Sequence, residues 1–341
     1  MIETINPATG EPLAQYMPAS SKKLADQLAR SDTAYADWSG LSLSQRAQWI
    51  LQWAKHLEAQ AHPLGQWMTQ EMGKPITQAI EEVQKCAAAC RVLVDEAKHI
   101  LKPVQRHDQA LTIHQVYQPQ GIVFCIMPWN YPMWQVMRVA ITNLLLGNVI
   151  VFKPAPNTIA SGQALARSMT TAGLPSDLVQ ALVIDIDQVE SVIAHPSVCG
   201  VSVTASVATG RVVASCAGRH LKKSVLELGG NDPCLLLTQA PSLMAAHLDL
   251  FLGARLTNCG QVCVAPKRLI VLEAQASDII DGLIEKMQSV VPQDPMNPSC
   301  QLGPMARMDL RQKVQNQVDE SLSKGARCLL GGQIPSGSGF Y

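Results

Sequence analysis

The feature that most constrains the fold is a regular alternation of short apolar runs and amphipathic stretches over residues 121 to 228. The apolar runs are GIVFCIM (121–127), NVIVFK (148–153), LVQALVI (178–184), GVSVT (200–204) and KSVLEL (223–228). The helix-like stretches between them cover 133–146, 158–171, 186–194 and 206–217. Such alternation predicts an α/β fold, with a parallel sheet and crossover helices of the Rossmann type.

The segments on either side of this alternation follow other patterns. Residues 20 to 101 carry apolar side chains at three- and four-residue spacing, which predicts several helices. ALTIHQVYQP (110–119) alternates apolar and polar residues, as a strand or hairpin arm does. A second block begins at Gly229, and it contains DPCLLL, a helix near 241–257, the strand RLIVLE, helices near 276–290 and 306–324, and RCLLGG at 327–332. We therefore predict two domains, 1–228 and 229–341.

The charge and cysteine content exclude several classes of protein. Lys plus Arg number 27 and Asp plus Glu number 27, so no net charge draws the chain to nucleic acid or an anionic membrane. The N-terminus lacks the basic and hydrophobic regions of an export signal, and no apolar run is long enough to cross a bilayer. The ten cysteines are too sparse for a disulfide scaffold. We expect a cytoplasmic protein in which most thiols are buried.

Three loop motifs each have a structural and a functional interpretation. ASVATG (205–210) follows a predicted strand and is either a plain turn or a helix N-terminus that approaches a phosphate. PWNYP (128–132) is either a rigid loop or a support that directs the Asn130 amide toward an oxyanion. LELGG (226–230) places Glu227 at a strand end, where it is either a satisfied structural acid or a base with a raised pKa.

NCGQVC (258–263) places two cysteines four residues apart. Cys259 and Cys263 could form a disulfide, bind a metal or simply pack. A metal site is disfavoured because no second pair of ligands follows at a suitable spacing, and a disulfide is disfavoured by the expected compartment. Packing stays open for either thiol, above all for Cys259.

Taken together, the motifs PWNYP, KPAPN, GLP, VTASVATG, LELGG, NCGQVC and LGPMAR resemble the aldehyde dehydrogenase superfamily in order and separation over essentially the whole chain. Within it the chain is most similar to the bacterial NAD(P)-linked succinate-semialdehyde dehydrogenases. The resemblance implies a Rossmann-type cofactor domain, preceded by helices and carrying an oligomerisation arm at 106–119, and an incomplete α/β catalytic domain.

The resemblance also implies catalytic roles. Cys263 corresponds to the nucleophile, whereas Cys259 lies at a position that the family does not use for catalysis. The thiolate attacks the aldehyde to form a thiohemiacetal, whose oxyanion is held by the Asn130 side chain and the Cys263 N–H, and a thioester follows. Glu227 activates the water that hydrolyses this thioester. Its presence implies hydrolysis to a free acid, because relatives that acylate coenzyme A typically lack this glutamate.

The implied cofactor is NAD or NADP. Lys153 corresponds to a ribose contact, and Ser206 with the backbone of 205–210 to a pyrophosphate contact. The full implied cofactor set is Met127, Pro128, Trp129, Lys153, Ala155, Pro156, Ala205, Ser206, Gly210, Leu228 and Gly229. Two positions depart from the family, since Ala205 replaces a usual glycine, and Pro156 stands where NAD-selective relatives often carry a glutamate that repels the NADP phosphate. Either cofactor is therefore expected, and no metal.

Arg138, eight residues after Asn130, corresponds to an arginine that binds the distal carboxylate of succinate semialdehyde. The alternative is an arginine on a helix surface.

Because family members continue well beyond Tyr341 and assemble as homo-oligomers, the resemblance implies a truncated chain with little or no activity on its own. Two alternatives remain: an inactive remnant that binds nucleotide or associates with other subunits, and a thiol redox or metal protein.

Overall fold

The computed structural model describes residues 1–108, 111–237 and 241–341. The strands within them are β1 (Ile2–Ile5), β2 (Pro12–Tyr16), β3 (Val104–Asp108), β4 (Leu111–Gln115), β5 (Ile122–Ile126), β6 (Val149–Lys153), β7 (Val179–Ala181), β8 (Val198–Thr204), β9 (Lys223–Glu227), β10 (Pro233–Leu236) and β11 (Arg268–Val271). The helices are α1 (Ser21–Ser39), α2 (Leu43–Ala59), α3 (Ala61–Met72), α4 (Ile76–Ile100), α5 (Trp134–Leu146), α6 (Ile159–Thr171), α7 (Val189–Ala194), α8 (Val207–Arg219), α9 (Pro241–Leu256), α10 (Ala276–Gln288) and α11 (Met308–Ser323).

A five-stranded sheet with the order β7-β6-β5-β8-β9 forms the centre of the first compact unit, and all of its strand pairs are parallel. Every residue of β6 is buried, as expected for a strand covered on both faces. The α/β fold with a parallel sheet and crossover helices, predicted from the apolar runs, is confirmed.

The first unit consists of Met1–Glu3, Gln15–Gly65 and Ile80–Leu228. Two tryptophans fix its N-terminal helices against the helices that flank the sheet. Trp38 Nε1 donates to Leu144 O at 2.9 Å, and Trp53 Nε1 donates to Ser168 Oγ at 2.9 Å. Both indoles are buried with their only polar atom satisfied, so they combine a large apolar contact with a specific hydrogen bond.

The second unit consists of Thr4–Ala14, Gln66–Ala79 and Gly229–Tyr341. In it β10 and β11 form a parallel pair, and α9 packs on α10. Backbone bonds connect its distant segments: Phe340 N donates to Pro7 O at 2.8 Å, and Ile76 N donates to Pro295 O at 2.8 Å. Two segments from the N-terminal part of the chain thus belong to this unit.

Several elements differ from the sequence-based expectation. Strands β1 and β2 were not predicted. β7 covers three residues of the expected 178–184, and these are the residues that pair with Ile150–Phe152 of β6. The 186–194 segment begins as a 3-10 turn, where Asp185 and Gln188 form a capping box, and becomes α-helical at Val189. RCLLGG adopts neither helix nor strand.

The predicted arm at 106–119 contains β4 and the end of β3, which pair antiparallel; its residues 109 and 110 lie outside the described residues. Within the described part of the chain, none of the helices combines the length and the apolarity that crossing a bilayer requires.

Candidate active site

The expected cofactor contacts of the first unit gather at one edge of the five-stranded sheet. Met127 follows β5, Lys153 ends β6, Ala205 follows β8 and Leu228 follows β9. Because the strands are parallel, these positions share the carboxyl edge, and Met127 N donates to Lys153 O at 3.1 Å. After β5 the chain forms β6 on one side of β5, and it later places β8 on the other side of β5. The topological switch point therefore lies between β5 and β8 at this edge. Ligands of open α/β sheets bind at this point.

Helix α8 begins at this edge with a regular N-terminus. Ser206 is its N-cap, and Ser206 Oγ accepts a hydrogen bond from Thr209 N at 3.2 Å. A Cβ on Gly210 would come within 2.5 Å of Leu228 Cδ2, so glycine permits the helix to lie directly against the end of the neighbouring strand. Free N–H groups and the helix dipole make such a terminus suitable for the pyrophosphate.

Lys153 and the loop after it provide the second half of the cofactor edge. Burial lowers the pKa of the Lys153 ammonium, and the nearby Asp185 carboxylate opposes this shift. Ala155 is buried and Pro156 is exposed. Asn157, which sequence reasoning missed, is 8% exposed, and among the described residues neither of its amide atoms has a hydrogen-bond partner. Buried unpaired amides are uncommon, so these residues fit a polar cofactor that would satisfy them.

Arg138 and Glu227, expected to bind substrate and to act as base, lie together. Arg138 Nη1 is 3.2 Å from Glu227 Oε1, and Arg138 Nη2 donates to Thr204 Oγ1 at 3.2 Å. Their side chains are 29% and 53% exposed and line a groove of about 370 Å³ that also contains Lys223. Glu227 is therefore an ion-paired acid in this structure, and a substrate carboxylate would have to compete with it for Arg138.

The loop that carries Asn130 is fixed by a buried carboxylate. Glu82 Oε1 accepts hydrogen bonds from the N–H groups of Met133 at 3.0 Å and Trp134 at 2.8 Å. An acid at the N-terminus of α5 also interacts favourably with the helix dipole. Asn130, Pro128 and Trp129 are half-buried in this loop. Glu82 was not predicted. The sequence signal that could have identified it is an acidic residue at a position of a helix that faces the core.

The two-cysteine segment, residues 258–266, belongs to the second unit. It begins with three successive left-handed residues: Asn258 at φ 52°, Cys259 at φ 56° and Gly260 at φ 75°. Non-glycine residues rarely adopt this conformation, so contacts must hold it in place. Asn258 N donates to Gln78 Oε1 at 2.7 Å, which satisfies a buried N–H within the turn.

The two thiols occupy different environments. Cys259 Sγ accepts a hydrogen bond from Gly303 N at 3.1 Å, and burial raises the pKa of this thiol to about 12 although that hydrogen bond lowers it. Cys263 is exposed, and its carbonyl oxygen accepts a hydrogen bond from Lys267 Nζ. Both thiols are free. Cys263 is thus accessible to a small molecule, whereas Cys259 holds two loops together.

The candidate site residues are distributed between the two units. The catalytic candidates Asn130 and Glu227 and the substrate candidate Arg138 belong to the first, and the catalytic candidate Cys263 and the cofactor candidate Gly229 belong to the second.

Comparison with known proteins gives a match over the whole chain. The model of the aldehyde dehydrogenase family matches residues 1–341. The chain is 38% identical over 340 residues to the succinate semialdehyde dehydrogenase (NAD(P)+) Sad of Escherichia coli K12, with 99% of this chain and 73% of the relative covered. It is 35% identical over 344 residues to the succinate-semialdehyde dehydrogenase (NADP(+)) of Mycobacterium avium, with 100% and 72% covered.

The fold has equally similar counterparts. The structure of succinic semialdehyde dehydrogenase from Streptococcus pyogenes in complex with NADP+ superposes with a TM-score of 0.96 at 31% identity, with 100% of this chain and 75% of that chain covered. The chain thus spans about three quarters of the length of the proteins that it matches.

Proposed function

Because the chain belongs to the aldehyde dehydrogenase family, we propose that it oxidises succinate semialdehyde to succinate with NADP+ or NAD+. The similarity over all 341 residues carries the reaction class. For the substrate, the support is Arg138, whose guanidinium lines the groove that also contains the Glu227 carboxylate. A guanidinium can bind the distal carboxylate of succinate semialdehyde with two parallel hydrogen bonds.

We assign the chemical steps to side chains as follows. The Cys263 thiolate adds to the aldehyde carbon, and the carbonyl oxygen becomes an oxyanion, for which the Asn130 amide is the proposed donor. When bound, NAD(P)+ would supply the hydride acceptor, and loss of the hydride from the thiohemiacetal carbon would leave an acyl thioester on Cys263. Glu227 takes a proton from water, the water oxygen bonds to the acyl carbon, and the C–S bond breaks. The acid is released, and the leaving sulfur takes the proton held by Glu227, which restores both the thiol and the carboxylate. The Arg138–Glu227 pair must separate for both residues to take part.

The cofactor assignment rests on the carboxyl edge of the sheet. Lys153, Ser206 and the unpaired Asn157 amide are suited to the polar parts of a dinucleotide. At the exposed Pro156 no carboxylate repels the additional phosphate of NADP. We expect both cofactors to raise the melting temperature, and Pro156→Glu to weaken the response to NADP while the response to NAD is retained. Equal responses of the variant to both cofactors would contradict this assignment.

The reaction is tested by following NADPH formation with succinate semialdehyde and with butanal, an aldehyde of equal carbon number without a carboxylate. Any turnover that the chain shows should fall by at least about a thousandfold in Cys263→Ala. Arg138→Gln should reduce the ratio of kcat/KM for succinate semialdehyde to kcat/KM for butanal. Loss of the ion pair with Glu227 affects both aldehydes, so this ratio cancels that general effect. Cofactor binding without turnover of any aldehyde would favour the alternative of an inactive nucleotide-binding chain.

We also propose a cytoplasmic location and assembly into homo-oligomers. Ten free cysteines are typical of a reducing compartment. The β3–β4 hairpin exposes Val104, Leu111 and Ile113, apolar side chains that a subunit contact would cover. Size-exclusion chromatography with light scattering would contradict the oligomer if the chain were monomeric at all concentrations.

A further inference from the structure

A group of three metal-ligating side chains lies away from the proposed active site, where α7 packs on α8. Glu190 is in the first turn of α7, Cys216 is in the last turn of α8, and His220 is the C-cap of α8. Their donor atoms all lie within 4.8 Å of one another, and His220 Nε2 is 3.1 Å from Glu190 Oε1. Cys216 is 6% exposed, and His220 is half-buried.

The donor set and its spacing fit zinc. A thiolate, an imidazole and a carboxylate are the ligands that Zn²⁺ takes in proteins, at bond lengths that place tetrahedral donors about 3.3 to 3.8 Å apart. Cys216 and His220 are four residues apart, so they lie on the same face of a helix. Glu190 comes from a different helix packed against it. Three donors on two packed helices leave one coordination position for water.

The helix end that presents His220 has a defined geometry. Leu221 N donates to Gly218 O at 3.1 Å and Lys222 N donates to Ala217 O at 2.9 Å, which ends α8 in a regular left-handed cap. His220 N is bonded within the same turn, to Ala217 O at 3.1 Å. The backbone that carries His220 is therefore fixed by the helix cap, and the three donor atoms already lie within 4.8 Å of one another.

We propose that Glu190, Cys216 and His220 form a zinc-binding site on the first unit. On binding, Zn²⁺ forms bonds to Sγ of Cys216, Nε2 of His220 and a carboxylate oxygen of Glu190, and the Cys216 thiol releases its proton to solvent. Arg219 competes for this carboxylate, since its Nη2 donates to Glu190 Oε1 at 3.0 Å. This side chain is 57% exposed, so it can move away, and removing it should strengthen metal binding.

The test uses the whole chain in a Cys263→Ser background, which removes the exposed thiol of the two-cysteine segment as a competing ligand. Co²⁺ is titrated first, because a cobalt–thiolate bond produces a charge-transfer band in the near ultraviolet, and Zn²⁺ is then added to displace it. We expect one equivalent of Co²⁺ to give this band. The band should vanish in Cys216→Ser, and Zn²⁺ affinity should fall at least about tenfold in His220→Gln.

Two further variants distinguish a built site from nonspecific binding. Cys199→Ser removes a half-buried thiol in β8, outside the group of three donors, and should leave the titration unchanged. Arg219→Gln should tighten binding by releasing Glu190. Absence of a stoichiometric band, or a band retained in Cys216→Ser, overturns the proposal; weaker binding in Arg219→Gln overturns the assignment of Glu190. Circular dichroism measures whether Cys216→Ser is folded. His220 is more exposed than Cys216, so His220→Gln removes a ligand at a position where a substitution disturbs the packing less. None of these readouts depends on dehydrogenase activity.

Discussion

The five-stranded sheet and the two-cysteine segment are held in place by different physical means. In the sheet, a ladder of backbone hydrogen bonds fixes the strands, and buried apolar side chains of β5, β6 and β8 pack on both sides of it. In the two-cysteine segment, single polar contacts hold a left-handed turn: Gln78 to the backbone of Asn258, and Gly303 to the thiol of Cys259. Stability in the first region depends on apolar volume, whereas conformation in the second depends on individual donors and acceptors.

Matched valines in the sheet give the largest expected effect. Val151 in β6 is 0% exposed, and Val225 in β9 is 63% exposed. Val151→Ala should lower the free energy of unfolding by about 2 to 3 kcal/mol, because it loses two buried methyl groups and leaves a cavity. Val225→Ala should change it by less than about 0.5 kcal/mol. Urea denaturation measures both; equal losses would mean that burial within the sheet does not determine its stability.

A single hydrogen bond in the two-cysteine segment should have a smaller and local effect. Gln78→Ala removes the acceptor of the hydrogen bond from Asn258 N, at a cost of about 1 to 2 kcal/mol. Opening of the turn exposes Cys259, whose thiol is otherwise protected by burial and by a pKa of about 12. Alkylation of Cys259, mapped by mass spectrometry, should therefore accelerate about five- to thirtyfold, because that free-energy change shifts the opening equilibrium by this factor.

The exposed Cys263 serves as the internal reference in the same experiment, since its rate should change little. Gln84→Ala is the matched control, an exposed glutamine on the same helix α4. If Gln84→Ala accelerates Cys259 alkylation as much as Gln78→Ala, the Gln78 contact does not hold the turn.

The same contrast explains what could be predicted from the sequence. Four strands, β5, β6, β8 and β9, begin and end within two residues of their predicted limits. Strands of a buried parallel sheet read as continuous apolar runs, which explains β5, β6 and β8, whereas β9 is exposed throughout. The edge strand β7 was overestimated, since apolar residues continue beyond the part that pairs with β6.

The contacts of the candidate site left much weaker sequence signals. Gln78 and Asn258 are 180 residues apart, and no periodicity links a glutamine to the backbone N–H that it binds. The Arg138–Glu227 pair joins residues 89 apart that sequence reasoning had assigned separate roles. Motif resemblance could name the residues, but it could not say which of them pair with each other, because pairing depends on the register of strands and the direction of side chains.

Left-handed residues occur in both units, at the end of a helix that flanks the sheet and in the two-cysteine segment, and they allow the finest test of the comparison. Leu221 stands at φ 56° in the cap of α8 and is 94% exposed, whereas Asn258 stands at φ 52° and is fully buried. Leu221→Gly should stabilise the first unit by about 1 kcal/mol, since glycine removes the strain and no buried surface is lost. Asn258→Gly should not stabilise the chain, because asparagine tolerates this conformation and its buried side chain would leave a void. Thermal unfolding of both variants decides the point: a gain for Asn258→Gly equal to that for Leu221→Gly would show that backbone strain, and not side-chain packing, dominates the energy of the turn before the thiols.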